Sequence, residues 1–317
     1  MTPDLVTVAV PVLNGGALFE QLLRAVRSQR VGCEVEILVA DSGSSDASRT
    51  HAEAAGARVL DVVASSFSHG RTRNLLASEA TGTHVAFLTQ DSIPADERWL
   101  QRLLQGFELA DDVALVFGPY RARPGASAPT RRELDTFFAS FSPDGRPRVD
   151  RADSPNEGSG LGRRPWFTDA NGCVARAAWE RIPFRDVPYA EDHVLARDML
   201  SAGYAKAYHP EAAVIHSHEY PPLALFKRCF DEWRALREVH GHVAPAGPVR
   251  AALMIQRDMR DDVKMMRREG VSGTALAADA AASLRHHAIR TAGAALGSRA
   301  DSLPPWLRQH CSLEGRA

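Results

Sequence analysis

The chain lacks the cysteine pattern of a zinc site or a disulfide framework. Its 317 residues contain four cysteines, Cys33, Cys173, Cys229 and Cys311, and no two of them form a C-x-x-C pair. Scattered cysteines of this kind are typical of a reducing compartment. A strand-like run begins almost at the N-terminus, which leaves no room for a cleavable signal. We therefore expect a cytoplasmic protein.

Charge of one sign and long apolar runs are also missing. The 38 basic and 39 acidic residues give a formal net charge of -1, so no overall field attracts nucleic acid, and we expect no nucleic-acid partner. No uninterrupted apolar segment reaches the roughly 20 residues that a membrane-spanning helix needs. Hydrophobic residues make up 44% and charged residues 24% of the chain, as is usual for a globular protein.

The chain does contain an alternation of strand-like and helix-like segments. Short apolar runs at residues 6–10, 35–40 and 85–88 are each followed by a polar turn and then by an amphipathic segment. This alternation predicts an α/β fold with a mostly parallel sheet that is flanked by helices on both faces. Beyond residue 220 the apolar residues recur at helical spacing only. We therefore expect two domains, residues 1–220 and a helical extension at residues 221–317.

Two stretches interrupt the alternating pattern. Residues 121–132 and 142–165 are rich in Gly, Pro, Ser and Arg, and an apolar segment at residues 134–141 separates them. This composition predicts long loops around a short helix. Loops of that length inside a compact domain usually act as lids or are disordered.

Acidic residues follow two of the predicted strands. Asp41 comes directly after the run at residues 35–40, and Asp91 follows the run at residues 85–88. Open α/β sheets bind ligands at the carboxyl ends of their strands. Asp41 could accept hydrogen bonds from an imide or a ribose, and Asp91 could bind a divalent cation that bridges two phosphates. Capping of the following helices is the alternative interpretation.

A basic segment, SHGRTRN at residues 68–74, precedes a predicted helix. Arg71 and Arg73 would lie beside the free backbone N–H groups of the helix start, and this combination favours a phosphate. A solvated helix start would explain the same residues.

Three further segments carry groups that could take part in chemistry. Glu191 and Asp192 precede a predicted helix, where an acid can cap the helix or act as a general base. His216 and His218 follow an apolar run, and one of them could complete a Mg²⁺ or Mn²⁺ shell. The segment TDANG at residues 168–172 has the small and polar residues of a binding loop.

The order of these segments is specific. The chain reads VPVLN at residues 10–14, VADSGSSD at 39–46, GRTRN at 70–74, QD at 90–91, ED at 191–192 and then a strand-end histidine. In this order it resembles family 2 glycosyltransferases of the GT-A fold. The segments FSHGRTRN at 67–74, LTQD at 88–91, FTDAN at 167–171 and IHSH at 215–218 look more narrowly like the bacterial dTDP-rhamnosyltransferase branch.

The resemblance implies a role for each candidate residue. Asp192, preceded by Glu191, would be the catalytic base, and Asp91 with His216 or His218 would hold Mg²⁺ or Mn²⁺. The residues that would bind the nucleotide sugar are Pro11, Asn14, Asp41, Gly70, Arg71, Arg73, Asn74, Gln90, Asp169 and Asn171. One departure is that Thr89 and Gln90 stand where many family members carry an acid, which makes the expected metal site less charged.

The resemblance also implies an activity, namely inverting transfer of L-rhamnose from dTDP-β-L-rhamnose to a hydroxyl of a glycan, lipid-linked or small-molecule acceptor. A UDP- or GDP-sugar donor and a non-catalytic nucleotide-sugar-binding protein are the alternatives. For the helical extension, packing against the catalytic domain or in a homodimer is favoured over peripheral membrane contact. The reason is that Asp258, Asp261 and Asp262 interrupt the basic surface that a membrane would require.

Overall fold

The computed structural model describes residues 3–153, 166–245 and 247–313. The chain divides into two compact units. The first consists of Met1–Arg121 and Phe137–His216, and the second of Ala122–Thr136 and Ser217–Ala317. Residues 122–136 thus belong to the second unit, although they lie within the expected first domain of residues 1–220.

The first unit is built on a sheet of eight strands, accompanied by a small sheet of three. The strands are β1 (Leu5–Val12), β2 (Glu34–Asp41), β3 (Arg58–Asp61), β4 (His84–Leu88), β5 (Ile93–Pro94), β6 (Val113–Phe117), β7 (Tyr120–Arg121), β8 (Arg148–Asp150), β9 (Asn171–Ala175), β10 (Ala205–Tyr208) and β11 (Val214–Ile215). The large sheet has the order β3-β2-β1-β4-β9-β6-β10-β8, and the small one the order β5-β11-β7. In the large sheet β9 runs antiparallel to β4 and β6, and β8 antiparallel to β10, whereas the other neighbours are parallel. The predicted mostly parallel α/β sheet is confirmed.

Amphipathic helices connect these strands. They are α1 (Gly16–Arg27), α2 (Ser48–Ala54), α3 (His69–Glu79), α4 (Trp99–Phe107), α5 (Ala128–Ala139), α6 (Arg176–Trp179) and α7 (Glu191–Ser201). In α1 the buried residues are Phe19, Leu22, Leu23 and Val26, which is the i, i+3, i+4, i+7 spacing of a helix with one face on the core. Such helices bury one face of the sheet and hold the strand ends in place.

The predicted loops are partly structured. Helix α5 begins at Ala128 and therefore occupies the second half of the first predicted loop. Strand β8 lies within the second predicted loop and pairs with β10 at the edge of the sheet. The remainder of that loop, residues 154–165, lies outside the described residues. The segment expected to form a binding loop from residue 168 onward enters the central strand β9 at Asn171, and residues 168–170 precede that strand.

The second unit is helical, as expected. Its long helices are α8 (Pro222–His240), α9 (Pro248–Arg268) and α10 (Gly273–Gly297), followed by the short α11 (Pro305–Cys311). Gly297 of α10 is needed for close packing, because a Cβ there would lie 2.2 Å from the carbonyl oxygen of Phe230 in α8. Within the described ranges, no helix is both long and apolar enough to cross a bilayer.

Candidate active site

Strand pairing brings three acidic residues to one edge of the large sheet. The parallel strands β2 and β4 both end at this edge. Asp41 is the last residue of β2, and Asp91 lies in the turn that follows β4. Strand β9 runs the opposite way, and its first residue Asn171 pairs with Leu88, the last residue of β4. Asp169, two residues before β9, therefore emerges at the same edge as Asp41 and Asp91.

The loops after β1 and β2 are tied together at this edge. Asn14 has a φ of 50°, and its Oδ1 accepts the backbone N–H of Ser45 at 2.8 Å. The N–H of Asn14 in turn donates to Ser44 Oγ at 2.9 Å. Asn14 does not cap α1, because the first residue of that helix, Gly16, donates its N–H to Asp46 Oδ2 at 2.9 Å. The side chain of Asn14 thus holds the shape of the loop.

Asp41 and Gln90 also organise these loops. Asp41 is 4% exposed, and its Oδ1 accepts the N–H of Ser44 at 2.9 Å. Gln90 Oε1 accepts the N–H of Leu13 at 2.8 Å, which joins the end of β1 to the turn after β4. Pro11 lies half-buried in β1 opposite Ala40 of β2. The structure thus places Pro11, Asp41 and Gln90 at one edge.

Asp91 and His216 could share a divalent cation. Their side chains are 16% and 13% exposed, and Asp91 Oδ2 lies 3.5 Å from His216 Nδ1. This spacing is long for a hydrogen bond, but a carboxylate and an imidazole so placed fit the ligand preferences of Mn²⁺. The His216 ring packs edge-on against Tyr120, with centroids 4.9 Å apart. His218 belongs to the second unit, where its ring stacks on Tyr220, and its metal role stays a prediction.

A buried arginine lies among the remaining acids. Arg73 of α3 is 2% exposed and donates to Asp169 Oδ1 at 2.7 Å. Its Nη1 lies 3.0 Å from Glu191 Oε1. Asp192, the second residue of α7, accepts the N–H of His193 at 2.8 Å. Arg73 therefore offsets only part of the negative charge that the carboxyl groups of Asp169, Glu191 and Asp192 would carry together.

This crowding raises the proton affinity of the cluster. Burial and the charge of Glu191 raise the pKa of Asp192 to about 7, although Arg73 and the His193 N–H act in the opposite direction. Burial raises the pKa of Asp169 well above its usual value against the attraction of Arg73, and the charges of Asp192 and Glu191 add to this effect. A carboxyl group that titrates near neutrality is suited to accept a proton as a general base.

An unusual backbone conformation positions the two acids of α7. Ala190, the residue before the helix, has φ 60° and ψ 36°, in the left-handed region. A residue with a Cβ there costs about 1–2 kcal/mol, and such strain is frequently found at functional sites. The sharp turn places Glu191 and Asp192 in the first turn of α7. Sequence reasoning missed it because the position carries alanine instead of glycine.

Two residues expected to frame the nucleotide also hold α3 in place. Asn74 Oδ1 accepts Trp179 Nε1 at 2.8 Å and the N–H of Phe184 at 3.0 Å, and Nδ2 donates to the Phe184 carbonyl at 2.8 Å. A Cβ on Gly70 would lie 2.3 Å from the carbonyl oxygen of Arg185. Both residues therefore fasten α3 to the segment that follows α6, and their contact with the nucleotide stays a prediction.

Asn171 is held by the protein in a similar way. It is fully buried, accepts Trp99 Nε1 at 2.7 Å, and donates to the carbonyl oxygens of Pro119 and Ala212 at 3.1 and 2.8 Å. Its amide is paired within the protein, and its role in sugar binding stays a prediction. Through these hydrogen bonds, the side chain of Asn171 pairs buried polar groups of Trp99, Pro119 and Ala212 at the start of β9. Buried polar groups in proteins are usually paired in this way.

The two arginines of α3 differ in burial. Arg73 was expected to contact the base, the ribose or the diphosphate; its guanidinium is buried and paired with Asp169 and Glu191, and its contact with the nucleotide stays a prediction. Arg71, two residues earlier, has a side chain that is 57% exposed, with Nε 3.3 Å from Asp186 Oδ2. Arg71 is therefore the more accessible of the two to a ligand from solvent.

Comparisons with known proteins agree with this geometry. The sequence model described as Glycosyl transferase family 2 matches residues 7–163. The chain is 30% identical over 232 residues to the O-antigen chain rhamnosyltransferase RfbN of Salmonella typhimurium, covering 71% of this chain and 70% of that protein. It is 32% identical over 231 residues to the O-antigen chain rhamnosyltransferase WbaN of Salmonella anatum, with the same coverage of both chains.

Solved structures show the same fold at lower identity. A mannosyltransferase from Pyrobaculum calidifontis, in complex with GDP-Man and Mn²⁺, superimposes with a TM-score of 0.53 at 18% identity and covers 96% of this chain and 77% of its own. Glucosyl-3-phosphoglycerate synthase from Mycobacterium tuberculosis, in complex with Mn²⁺, UDP-Glc and phosphoglyceric acid, has a TM-score of 0.52 at 20% identity, over 77% of this chain and 81% of its own. The first unit therefore has the GT-A fold.

Proposed function

Because the chain belongs to glycosyl transferase family 2, we propose that it transfers L-rhamnose from dTDP-β-L-rhamnose to a hydroxyl acceptor with inversion at the anomeric carbon. The observation that carries the transferase chemistry is Asp192, an acid held near neutral pKa at the start of α7 beside the sheet edge that carries Asp41 and Asp91. The choice of rhamnose is supported by the names of the two Salmonella relatives.

The proton transfer follows from the position of Asp192. A carboxylate oxygen of Asp192 accepts the proton of the acceptor hydroxyl. At the same time the hydroxyl oxygen attacks the anomeric carbon, and the bond from this carbon to the diphosphate oxygen breaks. General-base assistance of this kind typically contributes about 10²–10⁴ in rate. A single displacement converts a β-L-rhamnosyl donor into an α-L-rhamnoside. Arg73 keeps Asp192 ionisable near neutral pH by offsetting the charge of Glu191.

The donor end of the site uses the other residues at the sheet edge. Asp41 would accept the imide N–H of the nucleobase, with Pro11 and Asn14 beside it. Asp91 and His216 would hold Mg²⁺ or Mn²⁺, which when bound neutralises the negative charge of the departing diphosphate. The exposed Arg71 can add a second positive charge there.

Asp192→Asn tests the assignment of the base. The variant keeps the shape of the side chain but cannot take a proton, so we expect donor binding to persist and transfer to be lost. Binding is measured by the thermal shift with dTDP, and transfer by product analysis with dTDP-rhamnose and candidate acceptors. Asp198→Asn is a matched control, because Asp198 lies on the same helix but pairs with Arg185. Substantial transfer by Asp192→Asn would remove Asp192 from this role.

A UDP- or GDP-sugar donor is the second candidate. Asp41 can meet the imide of thymine or uracil equally well. A thermal-shift panel of dTDP, UDP and GDP separates the candidates, because a ligand at 100 times its Kd stabilises the native state by about 2.7 kcal/mol.

We propose a glycan or lipid-linked acceptor and a cytoplasmic location, with the second unit serving for packing or homodimerisation. Basic residues on α9 are paired with acids, for example Arg257 with Asp258 at 3.1 Å and Lys264 with Asp261 at 2.8 Å. Pairing reduces the positive potential that an anionic membrane would attract. We expect no flotation with liposomes of anionic lipid, and co-flotation would favour peripheral attachment instead.

A further inference from the structure

The second unit contains metal-ligating side chains that the transfer reaction does not use. Glu133 lies on α5, and His286 and His287 are neighbours on α10. Glu133 Oε1 is 3.4 Å from His286 Nε2 and also 3.4 Å from His287 Nδ1. One ligand atom from each residue lies within 4.8 Å of the other two.

These distances match a shared ion better than direct hydrogen bonds. Two ligands that are each 2.0–2.1 Å from a tetrahedral zinc ion lie about 3.3–3.4 Å from one another. A direct N–H···O hydrogen bond has its commonest length near 2.9–3.0 Å. The Nε2 atom of His286 is buried and has no hydrogen-bond partner among the described residues. An ion between these atoms would satisfy it.

A buried carboxylate lies behind His287 and sets its orientation. His287 Nε2 is 2.7 Å from Asp262 Oδ2, and Asp262 is fully buried and also accepts Ser283 Oγ at 2.6 Å. When His287 Nε2 donates its proton to Asp262, its Nδ1 is left with a lone pair on the side of Glu133. Metal-binding histidines typically make this second bond to a carboxylate, which fixes the tautomer and raises the basicity of the ligand.

The surrounding charges indicate which type of ion fits. Arg290 pairs with Glu133 Oε2, and Arg132 pairs with Asp262. Two acids and two arginines balance, so the cluster lacks the excess of oxygen ligands and negative charge that Ca²⁺ or Mg²⁺ requires. Two imidazoles and one carboxylate suit zinc.

We propose that Glu133, His286 and His287 bind a zinc-type transition-metal ion that links α5 to α10 in the second unit. His286 also lines an open cavity of about 450 Å³, which gives the ion a route from solvent and leaves room for water as the fourth ligand. The proposal does not depend on the proposed function, because the residues it uses belong to the second unit.

The amount of bound zinc tests this site. The candidate metal site of Asp91 and His216 is first disabled, so that it does not contribute zinc. The full-length Asp91→Asn variant is equilibrated with Zn²⁺, dialysed, and analysed for zinc by mass spectrometry. We expect one zinc per chain, at least tenfold weaker binding when His286→Ala is added, and unchanged binding when His310→Ala is added. His310 is a suitable control because it is an exposed histidine on α11.

Two further readouts keep the test decisive. Co²⁺ in the same site should give the strong visible absorption of a tetrahedral complex, and His286→Ala should abolish it. Zn²⁺ should raise the melting temperature of the Asp91→Asn chain but not that of its His286→Ala derivative, whose fold is checked by circular dichroism. If that derivative does not fold, His286→Gln replaces it. Failure of Asp91→Asn to bind zinc, or equal zinc binding by the His286 variants, overturns the proposal.

Discussion

Replacing Arg73 by methionine removes a buried cation that offsets the acids around Asp192. Arg73 is 2% exposed and pairs with Asp169 and Glu191 at 2.7 and 3.0 Å. For charges about 6 Å apart at an effective dielectric constant of about 20, the Coulomb energy is about 2.8 kcal/mol, or about two pH units in a titration. Because Asp192 accepts a proton only when ionised, the acid limb of kcat/KM should move from about pH 7 to higher pH in Arg73→Met.

The assay is the pH dependence of kcat/KM for sugar transfer. We expect the midpoint of the acid limb to rise by about one to two pH units and the rate at neutral pH to fall roughly 5- to 50-fold. Arg73→Lys keeps the charge and should retain most of the wild-type profile. Arg24→Met, at an arginine whose side chain is 73% exposed, is the control and should leave the profile unchanged.

Stability has to be monitored in the same experiment. Breaking a buried ion pair by removing one partner costs about 3–5 kcal/mol, so the Arg73→Met assays are run well below its melting temperature with the fold checked by circular dichroism. An acid limb that superimposes on the wild-type limb in folded Arg73→Met would refute the role of Arg73 in setting the pKa of Asp192.

Three other perturbations have defined outcomes. EDTA should stop transfer and Mg²⁺ or Mn²⁺ should restore it, with Asp91→Asn needing more metal; full activity in chelator would contradict the Asp91 site. Gly70→Ala should lower the melting temperature by an amount equivalent to about 1–3 kcal/mol, since its Cβ would meet the Arg185 carbonyl oxygen at 2.3 Å, whereas Gly32→Ala, with nothing within 4 Å, should not. Asn171→Ala should destabilise the chain by leaving buried partners unpaired; a weaker affinity for dTDP in the folded variant would support a binding role for Asn171.

Much of the fold could be predicted because hydrophobic periodicity reports burial directly. The strands β1, β2 and β4 are short apolar runs between polar turns, and the helices α1 and α4 carry apolar residues at helical spacing. Strand β9 could not be predicted in this way. It starts with Asn171 and Gly172, which have low strand propensity, and only its position between β4 and β6 makes it a strand.

The acidic residues of the site could be predicted because they follow strands or start helices, positions that are visible in the sequence. The partners of these acids could not. Asp169 and Arg73 are separated by 96 positions along the chain, and no local pattern records a contact of that range. The left-handed turn at Ala190 also gave no signal, because its residue type does not favour that conformation.

One distinction between the two arginines of α3 was nevertheless available from helical geometry. Residues i and i+2 of an α-helix are about 200° apart around the axis, so Arg71 and Arg73 cannot both face the same ligand. The structure resolves the choice by burying Arg73 against Asp169 and leaving Arg71 exposed. The charge of the buried arginine lowers the pKa of Asp192. If Asp192 is the base and Arg71 binds the diphosphate, as we propose, variants of the two arginines should separate into effects on KM for Arg71 and effects on the pH profile for Arg73.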